Sequence, residues 1–141
     1  MSAQDNAALA RKPYDLWNAR DFDGAAALFA PEADWLNVAM GATFRGPEGY
    51  KQFAQGWANA FPDGQVEVTN IIASEDGAAV EFIGRGTHTG PLVGPSGAIA
   101  ATGRKVEFRL CDVYQIQNGK FVGGRSYFDS ATLMRQLGLM P

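Results

Sequence analysis

Between Arg104 and Gln117 every second residue is apolar, and one carboxylate interrupts the row. Val106, Phe108, Leu110, Asp112, Tyr114 and Ile116 alternate with Glu107, Arg109, Cys111, Val113 and Gln115. A period of two sets these groups on opposite faces of a strand. The apolar set is the core face, so Asp112 points inward, where it has to be paired, hydrogen-bonded or neutral with a raised pKa. A carboxyl group tuned in this way can take or give a proton near neutral pH, which makes Asp112 the first candidate for acid/base catalysis. A structural carboxylate bonded to a helix N-terminus or to Arg85 is the competing reading.

The other candidates are fewer than usual. The only histidine is His88 and the only cysteine is Cys111. An intrachain disulfide is therefore impossible, and a Cys/His zinc site nearly so. Nothing cationic near Cys111 would lower its pKa, so it reads as an inert residue on the outer face. His88 and Arg85 lie in AAVEFIGRGTHTG, where a bulge at the glycines would turn one of them inward. Otherwise His88 is a surface or rim residue and Arg85 a cross-strand partner of Glu107. Trp35 and Asn37 share a strand face and offer a stacking surface beside a hydrogen-bonding amide. On the last strand, Ser126 falls in the row Val122, Gly124, Ser126, Phe128. Asn118-Gly119 between alternating runs signals a two-residue hairpin. Its strict register pairs Gln117 with Lys120 and sets Asp112 opposite Arg125. The face assignments demand a bulge that shifts this pairing, and the register at Gly123-Gly124 stays open.

These residues have to be positioned by one domain spanning residues 1–141. Helices are expected over Asn6–Trp17, with Pro13 as a kink or near its start, over a short segment capped by Asp21 or Asp23 and stopped by Pro31, and from Gly46-Pro47 to Phe61. Asp34–Met40 and Thr43–Arg45 read as short strands. Long strands are expected at Gln65–Ala73, Ala78–Gly90, Arg104–Gln117 and Lys120–Asp129, and a closing helix is capped by Ser130. Residues 91–103, rich in Gly, Pro and Ala, read as a long loop or flap. This order is α+β: a curved antiparallel sheet folded over N-terminal helices to make a cone with a blind apolar pocket.

Hydrophobic residues make up 46% and charged residues 19% of the chain. Twelve Lys and Arg face fifteen Asp and Glu, a formal charge of -3, with no basic stretch to suit a nucleic acid. The first twenty residues hold no signal-like apolar segment, and no run is long enough to span a membrane, so a cytoplasmic protein is expected.

GTHTGPLVG (Gly86–Gly94), TGRKVEFRLCDVYQIQNGKFVGGRSYFD (Thr102–Asp129) and LMRQLG (Leu133–Gly138) resemble the SnoaL-like polyketide cyclases. RDFDGAAALFAPEADW (Arg20–Trp35) and FRGPEGYKQF (Phe44–Phe53) are similar to the N-terminal half of the same group. The resemblance implies an NTF2-like α+β cone-shaped barrel, an internal cavity, frequent homodimers and no cofactor. Such cyclases usually read His-Trp-Asp before the last aromatic pair, with the Asp as general acid/base. Gly124-Arg125-Ser126 stands there in this chain, so the acid could have moved across the hairpin to Asp112. RSYFDSATL also resembles limonene-type epoxide hydrolases, and Trp35, Asn37 and Arg85 match their site by position. Their two aspartates are replaced by Thr87 and Ser126, which cannot make the proton transfers of that mechanism, and Asp129 serves mainly as a helix cap.

The expected site thus comprises Asp112, Ser126 and His88 as catalytic groups. Trp35, Asn37, Arg85, Tyr114, Phe108 and Phe128 are the substrate-binding groups. The expected ligand is a small apolar organic molecule, undergoing cyclisation, isomerisation or elimination, or simply held.

Overall fold

The computed structural model describes residues 2–94 and 97–141. Helix α1 (Ala3–Asn18) begins before the expected start, because Ser2 and Asp5 form a capping box that closes its first turn. Pro13 lies inside α1 and is buried. Asp21 caps α2 (Phe22–Ala26) by accepting the Gly24 N–H at 2.9 Å. The chain is already extended at Phe29, so β1 (Phe29–Asn37) runs through Pro31 rather than starting after it. The register between β1 and the last strand shifts between Phe29 and Asp34, and a residue without an N–H is tolerated at such an irregularity.

β2 (Ala42–Arg45) returns alongside β1, and α3 (Gly46–Ala60) opens with Pro47 in its first turn. β3 (Gln65–Ala73), β4 (Gly77–Thr87), β7 (Lys105–Gln117) and β8 (Lys120–Phe128) are the long strands. Residues 91–103 are more ordered than the expected loop: β5 (Leu92–Gly94) pairs with β6 (Gly97–Ile99), and Leu92 is buried in the core. Pro95 and Ser96 of that stretch lie outside the described residues. Asp129, rather than Ser130, caps the closing helix α4 (Ser130–Gln136), accepting the N–H groups of Ala131 and Thr132.

The sheet order is β2-β1-β8-β7-β4-β3, with β1 parallel to β8 and the other pairs antiparallel. β2 and β3 are edges, so the cone is a curved open sheet completed by helices and not a closed barrel. The concave face carries Val80 and Phe82 of β4 and the row Val106, Phe108, Leu110, Asp112, Tyr114 and Ile116 of β7, all buried as alternation requires. Leu9 and Tyr14 of α1 and Tyr50 and Phe53 of α3 pack onto that face. Among the described residues no helix is long and apolar enough to cross a membrane.

Two registers position the site. β4 and β7 pair without interruption from Gly77↔Gln115 to Thr87↔Lys105, so no bulge turns Arg85 inward. β7 and β8 start in strict hairpin register, Gln117↔Lys120 and Ile116↔Phe121, and then slip by one to Gln115↔Gly123. Val122 is the extra residue. Phe121 therefore takes the core position before the bulge, and Gly124 and Ser126 are buried after it. Asp112 faces Ser126, and Arg125 pairs with Val113 instead.

Candidate active site

A cavity lies between the helices and the concave sheet face. It offers about 70 Å³ to the centres of water molecules, where one water requires roughly 10–15 Å³ on that measure. The walls include Trp17, Phe53, Trp57, Phe82 and Phe108, and the lining reaches the surface at Gln65 and Arg85. Polar atoms gather at the end formed by Tyr14, Tyr50, Asp112 and Ser126.

Asp112 is buried between Val80 on β4 and Ser126 on β8. Its Oδ2 accepts the Tyr14 hydroxyl at 2.7 Å, and the Tyr14 and Tyr114 hydroxyls are 2.8 Å apart. Asp112 Oδ1 and Ser126 Oγ are buried and have no hydrogen-bonding partner among the described residues. Burial pushes the Asp112 carboxyl up to about 7; the nearby hydroxyls of Ser126, Tyr14 and Tyr114 favour the ionised form and hold it from rising further, although only Tyr14 meets hydrogen-bond geometry with Asp112. Burial, and then the charge of Asp112, raises the Tyr14 hydroxyl well above its usual range. Tyr114 is raised by burial first and Tyr50 second. The phenols are thus neutral donors wherever Asp112 titrates. A half-ionised carboxyl with one tethered and one unpartnered oxygen can both take up and return a proton near neutral pH.

The other expected residues divide. Phe108 lines the cavity, and Phe128 stands behind the wall, edge-on to Phe108 at 5.8 Å and to Trp57 at 5.4 Å. Trp35 is buried among Phe29, Tyr50, Phe53 and Tyr114. It pairs with Gly124, where a Cβ would meet its ring at 2.5 Å. Asn37 pairs with Ser126 and accepts the Met40 N–H at 3.3 Å. Neither Trp35, Asn37 nor Tyr114 is part of the cavity lining. The Arg85 guanidinium turns outward, 2.6 Å from Glu107 and 2.7 Å from Glu67, in exposed ion pairs that solvent screens. The Cys111 thiol is half-buried and raised by burial.

His88 is apart from Asp112 and outside the cavity lining, and it is buried rather than at the rim. Its Nδ1 accepts the Thr102 N–H at 3.2 Å and lies 3.0 Å from the Thr102 hydroxyl. Its backbone pairs with Arg104 and Gly103, so it fastens the base of the β5–β6 excursion. The acceptor role requires the neutral ring. Burial lowers its pKa, against a smaller raising effect of the Gly90 carbonyl. The unfolded chain then binds the proton more readily, and stability falls as pH drops through about 6.5 toward the lower folded value. We expect His88→Phe to flatten this dependence between pH 7 and 5 in denaturant unfolding. An unaltered slope would show that His88 does not carry it.

Tyr14 and Tyr50 were missed as site residues. Each stands in the apolar stripe of a helix, and a phenol in such a stripe needs a partner for its hydroxyl. That was the available signal.

The profile of the SnoaL-like polyketide cyclase family matches residues 7–137. None of the curated proteins matches the chain. Among solved structures, AclR from Streptomyces galilaeus, named as a proposed hydroxylase, is 26% identical over 99% of this chain and 100% of its own, with a TM-score of 0.83. IdmH from Streptomyces antibioticus, named as a proposed polyketide cyclase, is 25% identical over 94% of this chain and 98% of its own, at 0.78. A protein from Catenulispora acidiphila with a ketosteroid isomerase-like fold is 15% identical over 94% and 93%, also at 0.78, a likeness of fold alone. The chain has the NTF2-like, ketosteroid isomerase-like α+β fold and belongs to the SnoaL-like polyketide cyclase family.

Proposed function

We propose that this protein is an enzyme that moves a proton on a small apolar carbonyl compound, as a cyclase, isomerase or lyase working with its own carboxyl and hydroxyl groups. The observation that carries this reading is a buried Asp112 whose Oδ1 has no partner among the described residues and whose strand neighbour is Ser126, both in the lining of a largely apolar cavity. Ionised Asp112 removes the proton next to the substrate carbonyl, and Ser126 donates a hydrogen bond to the enolate oxygen. The protonated carboxyl then returns the proton to carbon or to a leaving oxygen. Trp57, Phe53 and Phe108 exclude water and hold the apolar body. The two relatives, named as a proposed hydroxylase and a proposed cyclase, fit a fold whose chemistry is set by the site. A homodimer is the assembly we propose with it.

Deuterium exchange tests this directly. A panel of small apolar ketones and 1,3-diketones is incubated in D2O with protein, and exchange at the carbon next to the carbonyl is followed by NMR. Exchange by the wild type that is lost in Asp112→Asn supports the reading. Saturable quenching of tryptophan fluorescence with no exchange would sink it in favour of a non-catalytic binder of apolar ligands. Ser126, at the position where the resemblance to the cyclases implies the acid, supports that second reading.

A further inference from the structure

The two oxygens of Asp112 differ. Oδ2 is 2.7 Å from the Tyr14 hydroxyl, and Oδ1 has no partner. Each phenol carries one proton. When Asp112 is ionised, Tyr14 spends its proton on Oδ2, so the 2.8 Å contact between Tyr14 and Tyr114 has to be donated by Tyr114. The result is a directional chain from β7 to α1 and back to β7, ending on one carboxylate oxygen. Every link is buried. Around Asp112, α1 contributes Tyr14, α3 Tyr50, β4 the apolar Val80, β7 Tyr114 and β8 Ser126. Cys111 and Glu81 belong to the opposite, outer rows of β7 and β4.

We infer that Tyr14 and Tyr114 are positioning residues that fix Asp112 through Oδ2 and thereby leave Oδ1 as the single oxygen presented to a ligand. The inference rests on the catalytic reading above and deepens it. A freely rotating carboxylate would exchange its two oxygens at the cavity. The tethered one keeps the basic lone pair beside Ser126 in one orientation, which is where positioning contributes to rate. The tether also assigns the transferred proton to Oδ1, since the Tyr14 proton already occupies Oδ2.

Tyr14→Phe keeps the ring and removes the tether. With ¹³C-labelled aspartate, and Asp112→Asn to assign the signal, the carboxyl titration is read by NMR without any substrate. Loss of a hydrogen bond to the ionised form should raise the Asp112 midpoint by about one unit or more. The exchange rate, read well above the new midpoint, should stay about ten- to hundredfold low, because the carboxylate is ionised but no longer oriented. Tyr114→Phe should give the same two effects, smaller. An unchanged midpoint in Tyr14→Phe would overturn the tether, and full recovery of exchange at high pH would overturn the positioning role. Failure of the catalytic reading is distinct: wild type and Asp112→Asn would then exchange alike, whatever the titration.

Discussion

Asp112→Asn should abolish turnover and, at neutral pH and above, make the protein more stable. A general base contributes on the order of 10²–10⁴-fold in rate, and an amide cannot take its place. The stability gain follows from the same burial. The carboxyl titrates near pH 3.9 in an unfolded chain, and folding pushes it up to about 7. In that interval the folded state binds the extra proton. The contribution of the group is therefore intact below about pH 4, is lost as pH rises through the interval, and reaches its full cost above pH 7. At 1.36 kcal/mol per unit the cost is at most roughly 4 kcal/mol. Asparagine keeps the shape and never ionises. Denaturant unfolding of both proteins from pH 4 to pH 8 should show the variant gaining on the wild type throughout. A difference that does not vary with pH would mean that Asp112 is as readily ionised folded as unfolded.

Placing at position 126 the aspartate that the resemblance to the cyclases implies should be harmful. Asp112 and Ser126 face each other across β7 and β8 on the buried side of the sheet. Opposed residues have Cα atoms about 4.5–5.5 Å apart. Two carboxyls there cannot both ionise, so Ser126→Asp creates a pair that shares one proton at neutral pH, with one apparent pKa lifted above that of Asp112 alone. We expect a loss of roughly 2–4 kcal/mol at pH 8, much of it recovered at pH 5. The pH–rate profile for deuterium exchange should develop two inflections or move its limb upward. Equal stability at pH 5 and pH 8 would show that the new side chain leaves the cavity. Read together, the two variants explain the departure from the family pattern: one carboxyl is kept, on β7, and its facing position holds a group that never carries charge.

Some of this was legible in the chain and some was not. Alternation alone set Asp112 inward, because a strand buried on one face repeats with period two and tolerates no exception without a reason. The same rule correctly put Trp35 and Asn37 on a buried face. It could not tell a wall of the cavity from the layer behind it, and so Trp35, Asn37, Tyr114 and Phe128 were placed one shell too close. His88 was misplaced for another reason. It shares the row of Val80 and Phe82 and its backbone still bonds Arg104 and Gly103, so alternation places it inward, whereas a lone histidine at a strand end reads as a rim residue. Tyr14 escaped because helical periodicity marks a residue as buried without saying what its polar tip meets. The start of β1 through Pro31 was hidden because local breaker signals carry no information about a pairing with β8, ninety residues away.

The spare residue Val122 has a consequence for how this site can change. The tight Asn118-Gly119 turn dictates one phase of β8, and the site needs the other. One unpaired residue reconciles them, so the turn and the row that holds Ser126 opposite Asp112 are separate modules. A turn altered by one residue is compatible with the same site, provided the spare is lost or duplicated in step. Excising Val122 would merely close the ladder, whereas excising Arg125 would rotate Ser126 out of the cavity. The chemistry is thus insulated against length variation on one side of Gly124 and exposed to it on the other, a form of evolvability that substitution scanning, which never alters length, cannot detect.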